Sequence, residues 1–291
     1  AVLITNVEAD HLDHYKDLSE IRGKFSEFIS SVPRDGVAVV CGDDPSLVAL
    51  ARKACHHVVT YGFSEDCDAR VVSYAPHGVG STFTLTLPSG QTVDSSILQN
   101  PGRHNVLNGA GVLTLLDALG YNAQVAAASL AKFKGVHRRF DLVGKAAGVT
   151  VVDDYAHHPT EIAATIAAAH ELDFKRVVVL FQPHRYSRVT LFTEVLKDQF
   201  ERAFDLCDQL VFMDVYSAGE APVPGVNGKT FLNVVLAHEG HPAAEYVPRR
   251  IDVPARLAEL TQPGDLVITM GAGDVTAMGP QLLEELRARE A

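Results

Sequence analysis

The sequence predicts an α/β protein of two domains, each built on a mostly parallel sheet. Three observations carry that expectation. Short β-branched or apolar runs (residues 37–41, 58–63, 149–153 and 176–182) alternate with helix-length segments, the rhythm of repeated βαβ units. The rhythm occurs twice, once before Phe63 and again after Val149, with a differently patterned stretch between. Phe133-Lys134-Gly135-Val136 offers a glycine hinge between the two, which divides the chain into residues 1–134 and 135–291. A length of 291 residues suits two domains.

Taken in order, residues 1–7 read as a strand and residues 8–15 as a polar loop. Residues 19–31 form a helix with Ile21, Phe25, Phe28 and Ile29 on one face. A turn at 33–36 leads to a buried strand at 37–41, a helix at 45–54 and a strand at 58–63. The pattern then changes: residues 69–74, 81–87 and 91–97 alternate more strongly between Gly, Pro and Ser turns, as short antiparallel strands do. Pro101-Gly102 ends them, and helices follow at 104–119 and 123–133. The second domain opens with a strand at 139–147 that ends in a turn at 145–148. Its further strands are expected at 149–153, 176–182, 209–214 and 266–270, and its helices at 159–172, 191–203, 253–260 and 279–288, with one more at 230–239.

The composition narrows the function. Hydrophobic residues make up 47% and charged residues 21%, and the net charge is −11, which argues against a general nucleic-acid or membrane-surface binder. No apolar run reaches about 18 residues, so no membrane-spanning helix is expected. Cys41, Cys55, Cys67 and Cys207 show no CxxC spacing, which fits small core residues in a reducing, cytoplasmic compartment. The chain starts at Ala1 inside the apolar run AVLITNV, a start in mid-core that is expected of a piece of a longer chain.

The second domain is organised around VVDDYAHHPTEI at 151–162. A strand delivers Asp153, Asp154, Tyr155, His157 and His158 to a loop, Pro159 suits the first helical turn, and Glu161 adds negative charge there. Loops at the carboxyl ends of parallel strands bind ligands, so the crowding points to ribose, phosphate or metal contacts, against the plainer reading of a helix cap with surface histidines. TNVEADHLDH at 5–14 also follows a strand, and its imidazoles and carboxylates can hold Mg²⁺ with oxygen ligands and waters. His11 and His14 admit zinc, but no cysteine or clear third ligand accompanies them. GRHNVLN at 102–108 opens a helix on which His104 and Asn108 share a face. They can grip an adenine edge there, unless Asn105 simply caps the helix. In KGVHRRF at 134–140 a glycine precedes paired arginines suited to a phosphate. In FQPHRYSR at 181–188, Arg185 and Arg188 stand three apart and can clamp one carboxylate or phosphate. GVNGKT at 225–230 imitates a phosphate loop, but Val223 holds the first-glycine place and Ala-Pro-Val-Pro before it cannot be a central strand. GAGD at 271–274 reads as a backbone turn.

In this order, TNVEADHLDHY, GRHNVLN, FKGVHRRFD, DDYAHHPTEI, FQPHRYSR and GAGD resemble the Mur ligases over essentially the whole chain, and within them the alanine-adding branch. The family has an N-terminal UDP-binding domain, a central ATPase domain and a C-terminal Rossmann-like domain. The resemblance implies that residues 1–134 are a truncated central ATP-binding domain and residues 135–291 the C-terminal domain. It implies His11 on a Mg²⁺ ion, His104 and Asn108 on adenine, Arg138 on the γ-phosphate and Asp154 on the ribose. It places His157, Arg185 and Arg188 around the incoming alanine and the reacting phosphate. Ala156 departs from the usual glycine, which is tolerable at negative φ. The implied reaction converts the carboxylate of UDP-N-acetylmuramate to an acyl phosphate with ATP and Mg²⁺. The amine of L-alanine attacks it, and phosphate leaves from a tetrahedral intermediate; the amide product is a peptidoglycan precursor.

The family's phosphate loop, an acidic Mg²⁺ ligand and the UDP-binding domain lie upstream of TNxxADH. These 291 residues alone are therefore expected to show no ligase activity and weak or undetectable ATP binding, and a cut sheet edge favours self-association. Three alternatives remain at this point: a tripeptide-adding relative in the same family, a metal-dependent hydrolase using His11, His14, Asp153 and His157, and a nucleotide-binding module without turnover.

Overall fold

The computed structural model describes residues 1–12 and 14–290; Asp13, part of the first motif, lies outside the described residues. The chain forms two compact units, Ala1–Lys134 and Gly135–Ala291.

The first unit runs β1 (Val2–Ile4), α1 (Leu18–Ser30), β2 (Ala38–Cys41), α2 (Pro45–Ala54), β3 (Val58–Gly62), β4 (Ala69–His77), β5 (Gly80–Thr86), β6 (Thr92–Leu98), α3 (Arg103–Ala118) and α4 (Ala123–Leu130). Its sheet has the order β1-β2-β3-β4-β5-β6. β1 to β4 pair in parallel, and β4, β5 and β6 pair antiparallel. The change of pattern after Phe63 is thus a change of strand direction. β2 is buried along its length, as a strand covered on both faces must be. Helix starts follow their capping residues. Asp17 accepts the N–H of Glu20 to open α1, and Asp44 accepts those of Ser46 and Leu47 to open α2. Gly111 lets α3 lie against the sheet, because a β-carbon there would stand 2.8 Å from the Tyr61 ring.

The second unit runs β7 (Asp141–Ala146), β8 (Val149–Asp154), α5 (Pro159–His170), β9 (Arg176–Phe181), α6 (Lys197–Arg202), β10 (Gln209–Phe212), α7 (Gly228–Val235), β11 (Ala243–Tyr246), α8 (Val253–Leu260), β12 (Asp265–Met270) and α9 (Met278–Glu290). The sheet order is β11-β10-β9-β12-β8-β7, parallel except for β7. Alternate strand residues feed two cores. Val179, Phe181, Leu210, Phe212 and Ile268 join Phe192, Phe200 and Phe231 in one, while Val178, Leu180, Val211 and Val267 join Leu257, Leu282 and Leu286 in the other. The sheet is therefore covered on both faces, the doubly wound arrangement.

Several elements differ from expectation. β1 spans three residues rather than seven. The helix expected at 191–203 is broken at Leu196 into a π-type turn (Leu191–Val195) and the short α6. The break seats Phe192 parallel to Phe200 with ring centroids 4.8 Å apart. β11 has no counterpart in the sequence reading. The helix expected at 230–239 is α7, which begins two residues earlier. Among the described residues, no helix is long and apolar enough to cross a membrane.

Candidate functional site

In the second unit the chemistry gathers at the carboxyl ends of β8, β9 and β12. β8 ends in two buried carboxylates with different partners. Asp153 accepts Arg138 Nε at 2.8 Å and the Thr269 hydroxyl at 2.6 Å, while Arg138 Nη2 donates to the Gly271 carbonyl at 2.6 Å. The guanidinium thus pins the hinge turn to β8 and to the loop after β12. Arg138 takes a positive φ of 60°, and its carbonyl accepts Tyr155 N–H at 2.7 Å. Asp154 accepts the N–H groups of Phe140 and Ala156, both at 2.8 Å. Burial pushes its carboxyl up to about 6, against those two hydrogen bonds and the nearby Arg139. Ala156 is fully buried and is not among the residues with positive φ, so the usual glycine is not needed there.

His158 caps α5, its Nδ1 accepting Thr160 N–H at 3.4 Å, and Glu161 reaches back to the N–H groups of His157 and His158. This capping box replaces the side-chain oxygen usual at that position with an imidazole nitrogen. Burial opposes the charge on Glu161, yet His157 and Arg139 hold its carboxyl below the usual carboxylate range. His157 donates from Nδ1 to the Tyr155 carbonyl at 3.0 Å.

The loop after β9 faces the same cluster. The His157 and His184 rings lie 6.2 Å apart, and His184 stacks on Tyr216 at 5.8 Å. Residues 183–185 pair with Tyr216: Tyr216 N–H donates to the Pro183 carbonyl at 2.9 Å and Arg185 N–H to the Tyr216 carbonyl at 2.8 Å. Burial, then Arg188, His157 and Arg185, push the His184 imidazole down to about 4, so it is neutral at pH 7. Its Nδ1 is buried without a hydrogen-bond partner among the described residues. Gln182 ties the strand end to GAGD, donating to Asp274 at 2.8 Å and accepting Val275 N–H at 3.0 Å. The structure thus brings together His157, Arg185 and Arg188 around His184, while Asp154 is engaged by the N–H groups of Phe140 and Ala156. Sequence reasoning gave no role to His184, Tyr216 or Glu220; the signal was that Tyr216 and Glu220 follow β10 and so lie at the same sheet edge.

The remaining expected residues belong to the first unit. His104 and Asn108 lie one turn apart on α3, the first half-buried and the second exposed. Gly102 caps that helix, and Asn105 donates its side-chain amide to the Pro101 carbonyl, so Asn105 is not the cap. Arg103 stacks on Phe63 with its guanidinium carbon 3.4 Å from the ring centroid. This surface of half-buried imidazole, exposed amide and ring suits a purine edge. His11 is exposed, with Nε2 3.7 Å from Asp10. Among the described residues no three His, Cys, Asp or Glu side chains converge as a metal site. The hydrolase alternative is left without a converged ion site, since Asp153 is taken up by Arg138 and Thr269. Mg²⁺ needs only one or two protein ligands beside phosphate oxygens and water; His11 and Asp10 do not by themselves fix an ion. GVNGKT is an ordinary helix start, where Asn227 accepts Thr230 N–H and Gly228 N–H donates to Asp214.

Two family models match the chain: the Mur ligase middle domain over residues 1–116, and the Mur ligase glutamate ligase domain over residues 138–273. UDP-N-acetylmuramate–L-alanine ligases are similar along nearly all of it. That of Syntrophotalea carbinolica is 42% identical, covering 99% of this chain and 62% of the relative. That of Thermobifida fusca is 43% identical, covering 98% and 60%. The solved UDP-N-acetylmuramate–alanine ligase of Thermotoga maritima superposes with a TM-score of 0.73 at 25% identity, over 99% of this chain and 60% of that one. Mycobacterium tuberculosis folylpolyglutamate synthase, solved with ADP, shares the fold, with a TM-score of 0.72 at 19% identity over 97% and 63%. The chain spans about three fifths of the length of the curated relatives it matches. With the middle-domain and ligase-domain models lying one after the other along it, the chain belongs to the Mur ligase family.

Proposed function

We propose that this chain supplies the ATP-binding and amino-acid-accepting parts of an enzyme that joins L-alanine to UDP-N-acetylmuramate, a step in peptidoglycan precursor synthesis in the cytoplasm. The observation that carries the reading is the convergence of His157, His184, Arg185 and Arg188 at the carboxyl ends of β8 and β9. The two guanidiniums hold an anion, the carboxylate of alanine or the oxygens of the acyl phosphate, in the geometry that suits arginine. His157, its Nδ1–H fixed on the Tyr155 carbonyl, presents its other ring nitrogen to the ligand. His184 stays neutral and accepts rather than repels the approaching amine. Catalysis then rests on placing amine and acyl phosphate together and on neutralising phosphate charge.

His104 and Asn108 contact the adenine in this reading, and the ADP held by the folylpolyglutamate synthase supports a nucleotide on this fold. Asp154 acts by ordering residues 138–156, on which the ribose rests, because both of its oxygens accept backbone N–H groups. Arg138 serves a phosphate only by leaving Asp153. Mg²⁺ joins His11 when phosphate oxygens supply the other ligands. As an isolated polypeptide these 291 residues contain no phosphate loop, and no ATP turnover is expected from them. The test is ADP release by the full-length gene product. Release that requires both UDP-N-acetylmuramate and L-alanine is expected; release that requires a tripeptide, or no amino acid at all, refutes the assignment.

A further inference from the structure

The turn that carries both arginines of the site is capped from a distance. Tyr186–Arg188 is a single 3-10 turn, and its first flanking residue, Arg185, gives it no side-chain cap. Glu220, 33 residues further on, supplies one: it accepts Ser187 N–H at 3.0 Å and the Ser187 hydroxyl at 2.6 Å, and stands 3.9 Å from Arg185 Nη1. Arg185 is itself held at φ 71° and ψ 137°, a region that strains any residue with a β-carbon. Glu220 is aimed by Ala218 and Gly219, at φ 50° and 86°, and by its own N–H on the Ser217 carbonyl at 3.0 Å. Two consecutive left-handed residues thus turn a loop rich in Gly and Pro so that one carboxylate stands beside Arg185. Burial opposes its charge, but the Ser187 hydrogen bonds and Arg185 outweigh burial and hold it ionised.

An amino-acid substrate brings one α-carboxylate, yet the site carries two guanidiniums. A second guanidinium three residues away would favour an amino acid carrying a second carboxylate. Glu220 sets a negative charge 3.9 Å from Arg185 Nη1, beside one of those guanidiniums. We propose that Glu220 is a specificity-determining residue, which makes the site reject amino acids with an acidic side chain and so accept alanine. The inference rests on the alanine-ligase reading above and adds the charge rule by which the amino acid is chosen.

The experiment compares L-aspartate with L-asparagine, of nearly equal size, as competitors of L-alanine in the ADP-release assay of the full-length gene product. Glu220→Gln keeps the side-chain shape and one acceptor for the Ser187 N–H, while its amide N–H donates to the Ser187 hydroxyl oxygen. It is expected to improve inhibition by aspartate relative to asparagine by about tenfold, the order of one partly screened like-charge contact. Ser187→Ala loosens the cap and keeps the charge. It is expected to lower kcat/KM for alanine without moving the aspartate-to-asparagine ratio, which a merely structural role of Glu220 would also leave unmoved. An unchanged ratio in Glu220→Gln, beside a wild type that ligates alanine, overturns the proposal and leaves the ligase reading standing. A wild type without alanine-dependent release overturns both.

Discussion

Arg138→Met removes a charge and keeps most of the side-chain volume. Asp153, 3% exposed, then faces the Thr269 hydroxyl at 2.6 Å without its guanidinium. Stranding a buried carboxylate in this way costs about 3–5 kcal/mol, and the Gly271 carbonyl also loses its donor, about 1 kcal/mol more. In a unit of this size each kcal/mol moves the midpoint by about 2–4 °C, so Tm is expected to fall on the order of 10 °C. Thermal and denaturant melts of the wild type, Arg138→Met and the double variant Arg138→Met/Asp153→Asn measure the Tm and the free-energy loss. The double variant is expected to recover much of the loss, because an amide tolerates burial better than an unpaired carboxylate. A loss below about 1 kcal/mol refutes the reasoning. It would show that Asp153 does not need the guanidinium and that Arg138 is available to a phosphate without cost. Loss of activity in Arg138→Met is therefore no proof of phosphate contact unless the melt is unchanged.

Asp154 and His184 pull stability in opposite directions as pH changes. The carboxyl of Asp154, raised to about 6, favours folding in its protonated form. Its contribution is full below about pH 4 and is lost as pH rises through 6. The imidazole of His184, lowered to about 4, contributes above about pH 6.5 and loses that contribution as pH falls toward 4. Asp154→Asn is expected to steepen the loss of stability on acidification between pH 6.5 and 4, read by melts across pH; an unchanged profile refutes the assigned shift. Gly273→Ala would place a β-carbon 2.5 Å from Gln182 Oε1 and 2.7 Å from the Tyr216 ring, and a loss of about 1–3 kcal/mol is expected in the same melts. Lys229→Ala, at an exposed residue of α7, is expected to leave both melts and ADP-dependent behaviour unchanged; weakened nucleotide binding would restore GVNGKT as a phosphate loop.

The parallel rhythm was legible because central parallel strands are nearly continuous apolar runs, as in β2 and β9, and because Asp44-Pro45 and His158-Pro159 announce their helices. β11 was not legible. Ala243–Tyr246 has an exposed first residue and three half-buried ones, and only pairing with β10 makes it a strand. The break at Leu196 is likewise tertiary, since residues 191–203 carry a helical pattern that the Phe192–Phe200 stack overrides. At the site, His157, Arg185 and Arg188 stood out in the sequence as candidates because their motifs follow β8 and β9. Their bonding was not: the sequence does not show that Arg138 turns onto Asp153, or that Asp154 is used up by backbone N–H groups. Glu220 reads as a solvated loop residue until Ser187 is found beside it.

The place of β12 sets the order in which this protein can be made. Among the described residues β12 is the last strand in sequence, yet it lies between β8 and β9 in the sheet. A nascent chain that has not yet delivered residues 265–270 holds two separate ribbons, β7-β8 and β9-β10-β11, each with an open edge and an uncovered apolar face. During that interval on the ribosome the second unit is most exposed to proteases and to pairing with other chains. Any stop codon before Asp265 fixes the protein permanently in that state.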